Sequence, residues 1–442
     1  MAQIVALHTL GCKLNFSETS TIGNEFLRNG FGIVDFKEKA DVYVLNTCTV
    51  TLNAEKECRQ LVRKALKQNP EAYIIVTGCY AQLRPEEIAA IKGVDIILGS
   101  NEKFKLFSLI DNFQKRNLAC IFVSPTDKLN DFGPAHSTDA DSRTRAFLKI
   151  QDGCDYKCSF CTIPLARGLS RSMNPDDVIY QFKNLVKEGY KEIILTGVNV
   201  GDYGKSYSTN LYNLLLKLVD LEGDFRIRIS SVEPNLLTDE IINLTADNEK
   251  LCKHFHIPLQ SGSPKILKLM RRRYKAEYYS ELIYKCKDKI PDLGIGADVI
   301  VGFPGETEED FLQTYNFLNE LPVSYLHVFT YSERPDTKAI EFEDPVNIHE
   351  RRKRNNMLRI LSEKKKYNFY KEMIGKELDV LFETENSYGK IKGFSSNYIR
   401  ISLDYNPNLV NQILTVSVDG ITDNCCIGTI KGTKNSIELI AS

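Results

Sequence analysis

The chain of 442 residues is 43% hydrophobic and 26% charged, a composition typical of a soluble globular protein. Its length favours two or three domains over a single core. The formal net charge of −1 excludes a general electrostatic attraction to nucleic acid, so any RNA site must be a local patch. No apolar run approaches the ~20 residues that cross a bilayer, and the first residues lack the pattern of a signal peptide. We therefore expect a cytoplasmic protein with no membrane partner.

Residues 1–118 alternate between short apolar, β-branched runs and helical patterns. The four predicted strands lie at 4–10, 41–46, 72–77 and 94–98, and the clearest helices lie at 17–29 and 54–68. Strands that alternate with helices predict a doubly wound parallel sheet. Residues 119–143 carry Pro, Gly, Ser and Asp without periodicity, which predicts a linker between two domains.

A second alternation of strands and helices runs from residue 144 to residue 372. Its six predicted strands lie at 146–150, 192–196, 226–230, 254–259, 297–301 and 325–329. Six βα units with right-handed crossovers would form an open, partial barrel whose ligands lie at the carboxyl ends of the strands. Residues 373–442 show short alternating runs separated by turn residues, which predict a small antiparallel β-barrel. The predicted fold class is α/β with this third, all-β domain.

The strongest chemical signal is the set Cys154, Cys158 and Cys161, which follows the first predicted strand of the central domain. Three thiolates in a C-x3-C-x2-C spacing can hold three irons of a [4Fe–4S] cluster and leave the fourth iron open to a ligand. The alternative is a zinc site, which needs a fourth ligand in register. Between Cys161 and Cys252 the sequence contains no His or Cys that would supply it.

This cysteine spacing resembles the signature of the radical S-adenosylmethionine (SAM) superfamily. The resemblance implies that SAM binds the open iron and is cleaved to a 5′-deoxyadenosyl radical by an electron from a donor such as a flavodoxin or ferredoxin. Turns after the later predicted strands are similar to the SAM-binding segments of the superfamily. The residues that this similarity implies at the SAM site are Gly197, Asn199, Ser231, Glu233 and Gly302. For each turn, the alternative is a connection without a ligand.

A second set of cysteines comes from the N-terminal domain. Cys12, Cys48 and Cys79 each lie one to three residues beyond a predicted strand. The carboxyl ends of parallel strands share one edge of a sheet, so these thiols can converge on a second site with three thiolates. Gly11 and Gly78 would leave room there for a bulky inorganic group. The alternative is three separately buried cysteines, which is our interpretation of the other six: Cys58, Cys120, Cys252, Cys286, Cys425 and Cys426.

The whole chain is similar to the methylthiotransferase family, in which a three-cysteine domain precedes a radical SAM core and a TRAM barrel. The segments 256–263 and 268–274 resemble motifs of that family. The resemblance implies two [4Fe–4S] clusters and two molecules of SAM per turnover, one as methyl donor and one as radical source. The candidate substrate-binding residues in these segments are Gln260, Arg271, Arg272 and Arg273. No protein acid or base is assigned, and the histidines of the strands are interpreted as core or pocket residues.

Three substrate classes occur in this family: threonylcarbamoyladenosine in tRNA, isopentenyl-type adenosine in tRNA, and an aspartate of a ribosomal protein. Segments 9–15, 45–51 and 76–82 resemble the threonylcarbamoyladenosine class. The resemblance therefore implies tRNA as the partner and 2-methylthio-N6-threonylcarbamoyladenosine, beside the anticodon, as the product. A metal-stabilised RNA-binding protein without enzymatic activity is the alternative from another class. The sequence does not indicate an oligomeric state.

Two basic runs, at 351–354 and 364–370, could contact phosphates and stack on bases, since aromatic residues are interleaved in the second. A solvated helix face between core and barrel explains them equally well. From residue 374 onward acidic residues slightly outnumber basic ones, which does not favour the barrel as the main RNA anchor.

Overall fold

The computed structural model describes residues 3–49, 52–110, 112–129, 132–138, 144–422 and 425–433. They form three units in chain order: a parallel sheet flanked by helices, an open barrel of strands and helices, and a closed β-barrel. The predicted α/β fold class is therefore confirmed. Among the described helices, none has both the length and the apolar character that crossing a bilayer requires.

The N-terminal unit is a sheet in which all neighbouring strands are parallel. Its strands are β1 (Ile4–Thr9), β2 (Gly32–Val34), β3 (Val42–Thr47), β4 (Tyr73–Gly78), β5 (Ile96–Leu98) and β6 (Cys120–Phe122), in the order β2-β1-β3-β4-β5-β6. Its helices are α1 (Lys13–Arg28), α2 (Leu52–Gln68), α3 (Cys79–Leu83), α4 (Pro85–Ala89) and α5 (Leu106–Leu109). Alternate residues of β3 and β4 enter separate hydrophobic clusters on the two faces, so the sheet is doubly wound.

The segment 119–143, predicted as a linker, contributes a strand to each of the units that it joins. Strand β6 pairs with β5 in the N-terminal sheet. Strand β7 (His136–Thr138) pairs antiparallel with β8 (Arg145–Lys149), the first strand of the central unit. Edge strands of three residues carry too short a pattern to be distinguished from a loop. Residues 130–131 and 139–143 of this segment lie outside the described part of the chain.

The central unit begins with β8 and a short hairpin of β9 (Gln151–Asp152) and β10 (Arg171–Ser172). The parallel strands that follow β8 are β11 (Glu192–Thr196), β12 (Arg226–Ile229), β13 (His254–His256), β14 (Gly294–Val301) and β15 (Tyr325–Thr330). β8, β11 and β12 pair in one run, β13 to β15 in another, and parallel bridges at Ile227–Leu251 and Ser231–His256 join the runs. Within the described residues β15 does not pair with β8, so the barrel is open as predicted.

Helices connect these strands and cover the barrel. They are α6 (Ile163–Arg167), α7 (Pro175–Lys187), α8 (Leu211–Val219), α9 (Asp239–Asp247), α10 (Pro264–Leu269), α11 (Ala276–Lys289), α12 (Glu308–Glu320) and α13 (Ile348–Glu372). Local sequence explains where several begin. The side chains of Asn174, Asn210 and Ser263 accept backbone N–H groups at the starts of α7, α8 and α10, and Thr307 forms a capping box with Asp310.

The C-terminal unit is a closed barrel of five strands. They are β16 (Glu377–Ser387), β17 (Lys390–Ser395), β18 (Arg400–Asp404), β19 (Ile413–Thr422) and β20 (Cys425–Thr433), in the order β16-β17-β18-β20-β19. Neighbouring strands are antiparallel except β18 and β20, which close the ring in parallel at Ile401 and Cys426. Residues at the end of α13 fill part of its interior. Residues 434–442 lie outside the described part of the chain.

The C-terminal barrel covers the amino-terminal end of the central barrel. The turn at residues 395–398, between β17 and β18, lies against the first residues of β12, β13 and β14. Arg226 and Arg228 of β12 donate to main-chain carbonyl oxygens of this turn and its adjoining strands at 2.8 to 3.1 Å. Both guanidiniums also bind the buried carboxylate of Glu192. The cysteines lie at the opposite, carboxyl end of the central barrel.

Candidate active site

A cavity of about 540 Å³ lies between the N-terminal sheet and the central barrel. One side is lined by Cys12, Cys48 and Cys79. The opposite side is lined by residues of the barrel strands and the turns that follow them, and Tyr398 of the C-terminal turn contributes as well. All three units of the chain therefore border one space.

The N-terminal cysteines lie at one edge of their sheet because each follows the carboxyl end of a parallel strand. Cys12 comes after β1, Cys48 after β3 and Cys79 after β4. Gly11 and Gly78 have φ angles of +106° and +97°, which favour glycine. A Cβ on Gly11 would lie 2.9 Å from the Cys48 sulfur, and a Cβ on Gly78 would lie 2.3 Å from a backbone oxygen of β3. Both positions therefore require glycine, because another residue would be strained at this φ and its Cβ would collide with a neighbouring atom.

Cys154, Cys158 and Cys161 lie in the loop between β9 and α6. The Cys154 N–H donates to the carbonyl oxygen of Gly168 at 3.0 Å, and the Cys161 N–H donates to that of Cys158 at 3.2 Å, which folds the loop back. Burial raises the pKa of Cys154 to about 11 and that of Cys161 to about 12. These thiols are protonated at neutral pH, so binding a metal must release their protons.

A smaller cavity of about 290 Å³ adjoins Cys161 and shares the lining residues Ile163, Asp298 and Phe329 with the larger one. The N-terminal cysteine set and Cys161 of the second set therefore face adjoining spaces. Gln260, a predicted substrate-binding residue, lines the smaller cavity with a φ of +71°. Among the described residues, its buried Oε1 atom has no hydrogen-bond partner. An unpartnered buried carbonyl is unfavourable, so a ligand with a donor group suits this position.

The residues predicted at the SAM site are only partly brought together. Gly197 and Ser231 line the larger cavity. Asn199 is 3% exposed, and within the described part of the chain its Nδ2 atom has no hydrogen-bond partner. Gly302 is not among the residues that line the two cavities, and a Cβ there would lie 2.3 Å from the side chain of Arg351. Gly302 thus packs against Arg351, and its predicted contact with SAM stays a prediction.

Arg272 and Glu233 lie beside the second cysteine set. Arg272 donates to the Cys158 sulfur at 3.2 Å and forms an ion pair with Glu233. The Arg272 side chain is 3% exposed, whereas a contact with an RNA phosphate needs a guanidinium that faces solvent. These contacts favour a role for Arg272 next to the cysteines, and its predicted contact with substrate stays a prediction.

The other predicted RNA contacts lie on the surface. Arg271 and Arg273 are exposed, and Arg273 covers the ring of Tyr156 at 3.8 Å. In the basic runs of α13, Arg351 and Arg354 are buried and form ion pairs with acidic residues at 2.6 Å, so they stabilise the fold. Arg352, Lys353 and Lys364 are exposed and stay candidates for phosphate contacts.

Comparisons with known proteins identify the family of this chain. Residues 148–318 match the model of the radical SAM superfamily, and residues 4–99 match "Uncharacterized protein family UPF0004". Threonylcarbamoyladenosine tRNA methylthiotransferase MtaB of Bacillus subtilis is 42% identical over 94% of this chain and 93% of the relative. The protein of the same name in Aquifex aeolicus is 40% identical over 90% and 96%. The chain belongs to the radical SAM methylthiotransferase family.

Other relatives of this methylthiotransferase carry a different name. A tRNA-2-methylthio-N(6)-dimethylallyladenosine synthase of Thermoanaerobacter is 35% identical over 85% of this chain and 81% of the relative. Among solved structures, the radical SAM methyltransferase TsrM of Kitasatospora setae, with cobalamin and a [4Fe–4S] cluster bound, is similar with a TM-score of 0.55 and 14% identity. That similarity covers 89% of this chain and 81% of TsrM, and it supports the fold alone.

Family membership implies that the methylthiotransferase uses SAM and a [4Fe–4S] cluster. The donor set fits such a group, since Cys154, Cys158 and Cys161 offer three sulfurs in one loop beside a cavity. Gln260, whose Oε1 has no partner among the described residues, lines the same cavity as Cys161 and fits a polar ligand there. When bound, the cluster supplies the electron that cleaves SAM.

The cavity also contains a group of three side chains, His256, His327 and Asp298, to which the sequence analysis gave no catalytic role. Atoms of His256 and His327 lie 2.9 and 3.4 Å from the Asp298 carboxylate. Although burial opposes it, His256 and His327 hold the pKa of Asp298 below its usual range. The alternation of side chains along a strand could have indicated that His327 faces the cavity. Tyr325, His327 and Phe329 are every second residue of β15, and all three line the cavity.

Proposed function

We propose that this methylthiotransferase converts N6-threonylcarbamoyladenosine beside the anticodon of tRNA to its 2-methylthio derivative. It would do so in the cytoplasm with two [4Fe–4S] clusters, two molecules of SAM per turnover, and electrons from a flavodoxin or ferredoxin. The observation that carries the proposal is that Cys12, Cys48 and Cys79 line a cavity that adjoins the one beside Cys161. A reaction that needs a radical and a sulfur donor requires two such sites next to each other.

The reaction replaces a hydrogen on the adenine ring with a methylthio group. When bound, the clusters and SAM would supply the electron, the radical that removes the hydrogen, the sulfur and the methyl group. The protein's own contribution is to bind and orient. The two adjoining cavities, of about 540 and 290 Å³, are of a size that accommodates small-molecule ligands.

The choice of substrate is supported by names of relatives. The proteins that are 42% and 40% identical are named threonylcarbamoyladenosine tRNA methylthiotransferases. A relative that is 35% identical is named for dimethylallyladenosine, which makes isopentenyl-type adenosine the second candidate. The ribosomal-protein aspartate is a third candidate, and it has only the family resemblance in its favour.

Analysis of tRNA nucleosides from cells with and without the gene tests the substrate. We expect 2-methylthio-N6-threonylcarbamoyladenosine to disappear and its precursor without the methylthio group to accumulate. Loss of the methylthiolated isopentenyl-type nucleoside would select the second candidate. Unchanged tRNA together with a lost modification on a ribosomal protein would contradict the tRNA assignment.

Anaerobic reconstitution followed by iron and sulfide analysis tests the two clusters. We expect about eight irons per chain, and about four after either cysteine set is changed to Ala. Changing Cys154, Cys158 and Cys161 should abolish 5′-deoxyadenosine formation. Changing Cys12, Cys48 and Cys79 should preserve it and stop sulfur transfer.

The matched control is Cys286→Ala, because Cys286 is buried outside both sets and should retain all irons. Equal loss of 5′-deoxyadenosine in both folded triple variants would contradict the proposed division of roles. Zinc in place of iron, with no SAM cleavage, would instead support a metal-stabilised RNA-binding protein.

A further inference from the structure

Arg167 joins the two cysteine sets directly. It is the last residue of α6, six residues after Cys161 in the sequence. Its side chain is 2% exposed and extends from the central unit into the N-terminal unit. There its Nε–H donates to the sulfur of Cys79 at 3.3 Å. A residue that follows one cysteine set therefore contacts a member of the other set.

The guanidinium of Arg167 uses all five of its N–H donors. Besides the bond to Cys79, it donates to Glu18 at 2.9 and 3.2 Å, to Asp152 at 3.0 Å and to the Asn15 Oδ1 at 2.7 Å. A planar guanidinium with every donor engaged has one orientation. The Nε–H is thus held towards the Cys79 sulfur by the rest of the group.

Asn15 extends this contact to the segments that present the other two N-terminal cysteines. Its Nδ2 donates to the carbonyl oxygens of Leu10 at 2.9 Å and Thr47 at 3.1 Å. Thr47 precedes Cys48 in the chain, and the sulfur of Cys12 lies 3.8 Å from the Asn15 Oδ1. Arg167 and Asn15 together therefore contact the segments that carry all three N-terminal cysteines.

The buried charges around Arg167 do not balance. Lys103, Lys149 and Arg167 have side chains no more than 2% exposed. Among the described residues, the carboxylates within ion-pair distance of them are those of Glu18 and Asp152. Three cations thus face two carboxylates, and a buried charge in excess is unfavourable. The Nε–H of Arg167 faces no carboxylate and points at Cys79, so negative charge on the sulfurs there would restore the balance.

We propose that Arg167 is a positioning residue for a cluster held by Cys12, Cys48 and Cys79, orienting Cys79 and raising the reduction potential of that cluster. This inference rests on the proposed function, because it needs the second cluster. Reduction adds negative charge to a cluster, so a buried cation that donates to one of its sulfurs favours the reduced form.

A redox titration of the reconstituted full chain tests this role. Cys154, Cys158 and Cys161 are changed to Ala, so that the signal comes from the N-terminal cluster alone. In this background, Arg167→Gln should shift the potential to more negative values. Arg167→Lys keeps the charge but loses the fork of donors, and it should produce a smaller shift in the same direction.

The matched control is Arg84→Gln. Arg84 also pairs across the two units, with Asp336 at 2.5 Å, and the described contacts of this pair include no cysteine. The Arg84→Gln variant should leave the reduction potential of the N-terminal cluster unchanged. Selective loss of the N-terminal cluster in Arg167→Gln, with about four irons retained by Arg84→Gln, would also support the positioning role.

An unchanged potential in Arg167→Gln with its irons retained would overturn the inference, and so would equal iron loss in both variants. If Arg167→Gln does not fold, the redox titration of Arg167→Lys decides: a more negative potential supports the inference, and an unchanged potential with its irons retained overturns it. If the background protein with unsubstituted Arg167 binds no iron, the proposed second cluster is refuted and the role of Arg167 with it.

Discussion

Gly78 sets the direction of the chain immediately before Cys79. A Cβ there would collide with the backbone of Thr47, at 2.3 Å, and the residue has a φ of +97°. Gly30 is a matched control, because its φ is +84° but a Cβ would meet no atom of the described residues within 4 Å.

We expect Gly30→Ala to lower the free energy of unfolding by about 1 kcal/mol through backbone strain alone. Gly78→Ala should lower it by about 3 kcal/mol, since the clash adds to the strain, and should reduce the iron bound at the N-terminal cysteines. Urea denaturation of the apoprotein and iron analysis measure the two effects. Equal destabilisation by the two variants would show that the space beside Gly78 is not restricted.

The thiols of Cys154 and Cys161 should react slowly with alkylating agents in the apoprotein. Burial raises their pKa values to about 11 and about 12, so little thiolate is present at neutral pH. The rate of alkylation should rise about tenfold per pH unit up to about pH 10, whereas an ordinary cysteine peptide levels off near its pKa of about 8.5. Mass spectrometry of iodoacetamide-treated protein measures this rate. A plateau below about pH 9 would contradict the raised pKa values.

At the scale of elements, β11 and β12 attach the C-terminal barrel through Glu192. Its carboxylate is fully buried between Arg226 and Arg228, which in turn hold the turn at 395–398. Glu192→Gln leaves two buried guanidiniums without their partner, and we expect a loss of about 3 to 5 kcal/mol in stability. Asp224→Asn is the control, because the Lys191–Asp224 pair is exposed and should contribute at most about 1 kcal/mol.

The contribution of Glu192 should depend on pH. Although burial opposes it, Arg228 and Arg226 hold the pKa of Glu192 below its ordinary value of 4.5. A lowered carboxyl pKa stabilises the fold above the unfolded pKa, and this stabilisation declines as the pH falls below that value. The stability difference between the unsubstituted protein and Glu192→Gln should therefore narrow under acid. Denaturation curves at neutral and acidic pH would reveal a constant difference if this reasoning fails.

At the scale of the whole molecule, Tyr398 is where the third unit enters the cavity of the other two. Its ring centroid lies 4.6 Å from that of His254 and 4.8 Å from that of Phe394. Tyr388 of the same barrel is a control, because both tyrosines have positive φ, +70° and +55°, but Tyr388 is fully exposed.

We expect Tyr398→Ala to lower stability by about 2 kcal/mol and to increase hydrogen exchange in β13 and β15, since it opens the amino-terminal end of the barrel. Tyr388→Ala should change stability by less than about 0.5 kcal/mol. Denaturation and hydrogen-exchange mass spectrometry measure both effects. Similar exchange in the two variants would mean that Tyr398 does not close the barrel.

The sequence was sufficient for features that depend on a short stretch of chain. The position of each N-terminal cysteine just past a strand was predictable, because the strand pattern and the cysteine fall within the same ten or so residues. The predicted strand at 72–77 is observed at Tyr73–Gly78. The strand predicted at 254–259 is observed at His254–His256 only, although Ile257 and Leu259, on either side of Pro258, still donate to β14.

Features that depend on docking between units could not be predicted. Arg167 lies 88 residues from Cys79 in the chain, and nothing in the pattern around either residue indicates their contact. The same holds for Tyr398 and His254, which meet only once the C-terminal barrel is in place. Such contacts follow from the shapes of packed units, whereas hydrophobic periodicity reports on one element at a time.

The turn at residues 395–398 leaves the ribosome after every strand of the central barrel. At ~5–20 residues per second, it follows the end of β15 by ~3–14 seconds of synthesis. During that interval Arg226, Arg228 and Glu192 lack the turn that covers them, so we expect water to reach them from the uncovered end of the barrel. We therefore expect this ion network to lose its water only after the turn has been translated.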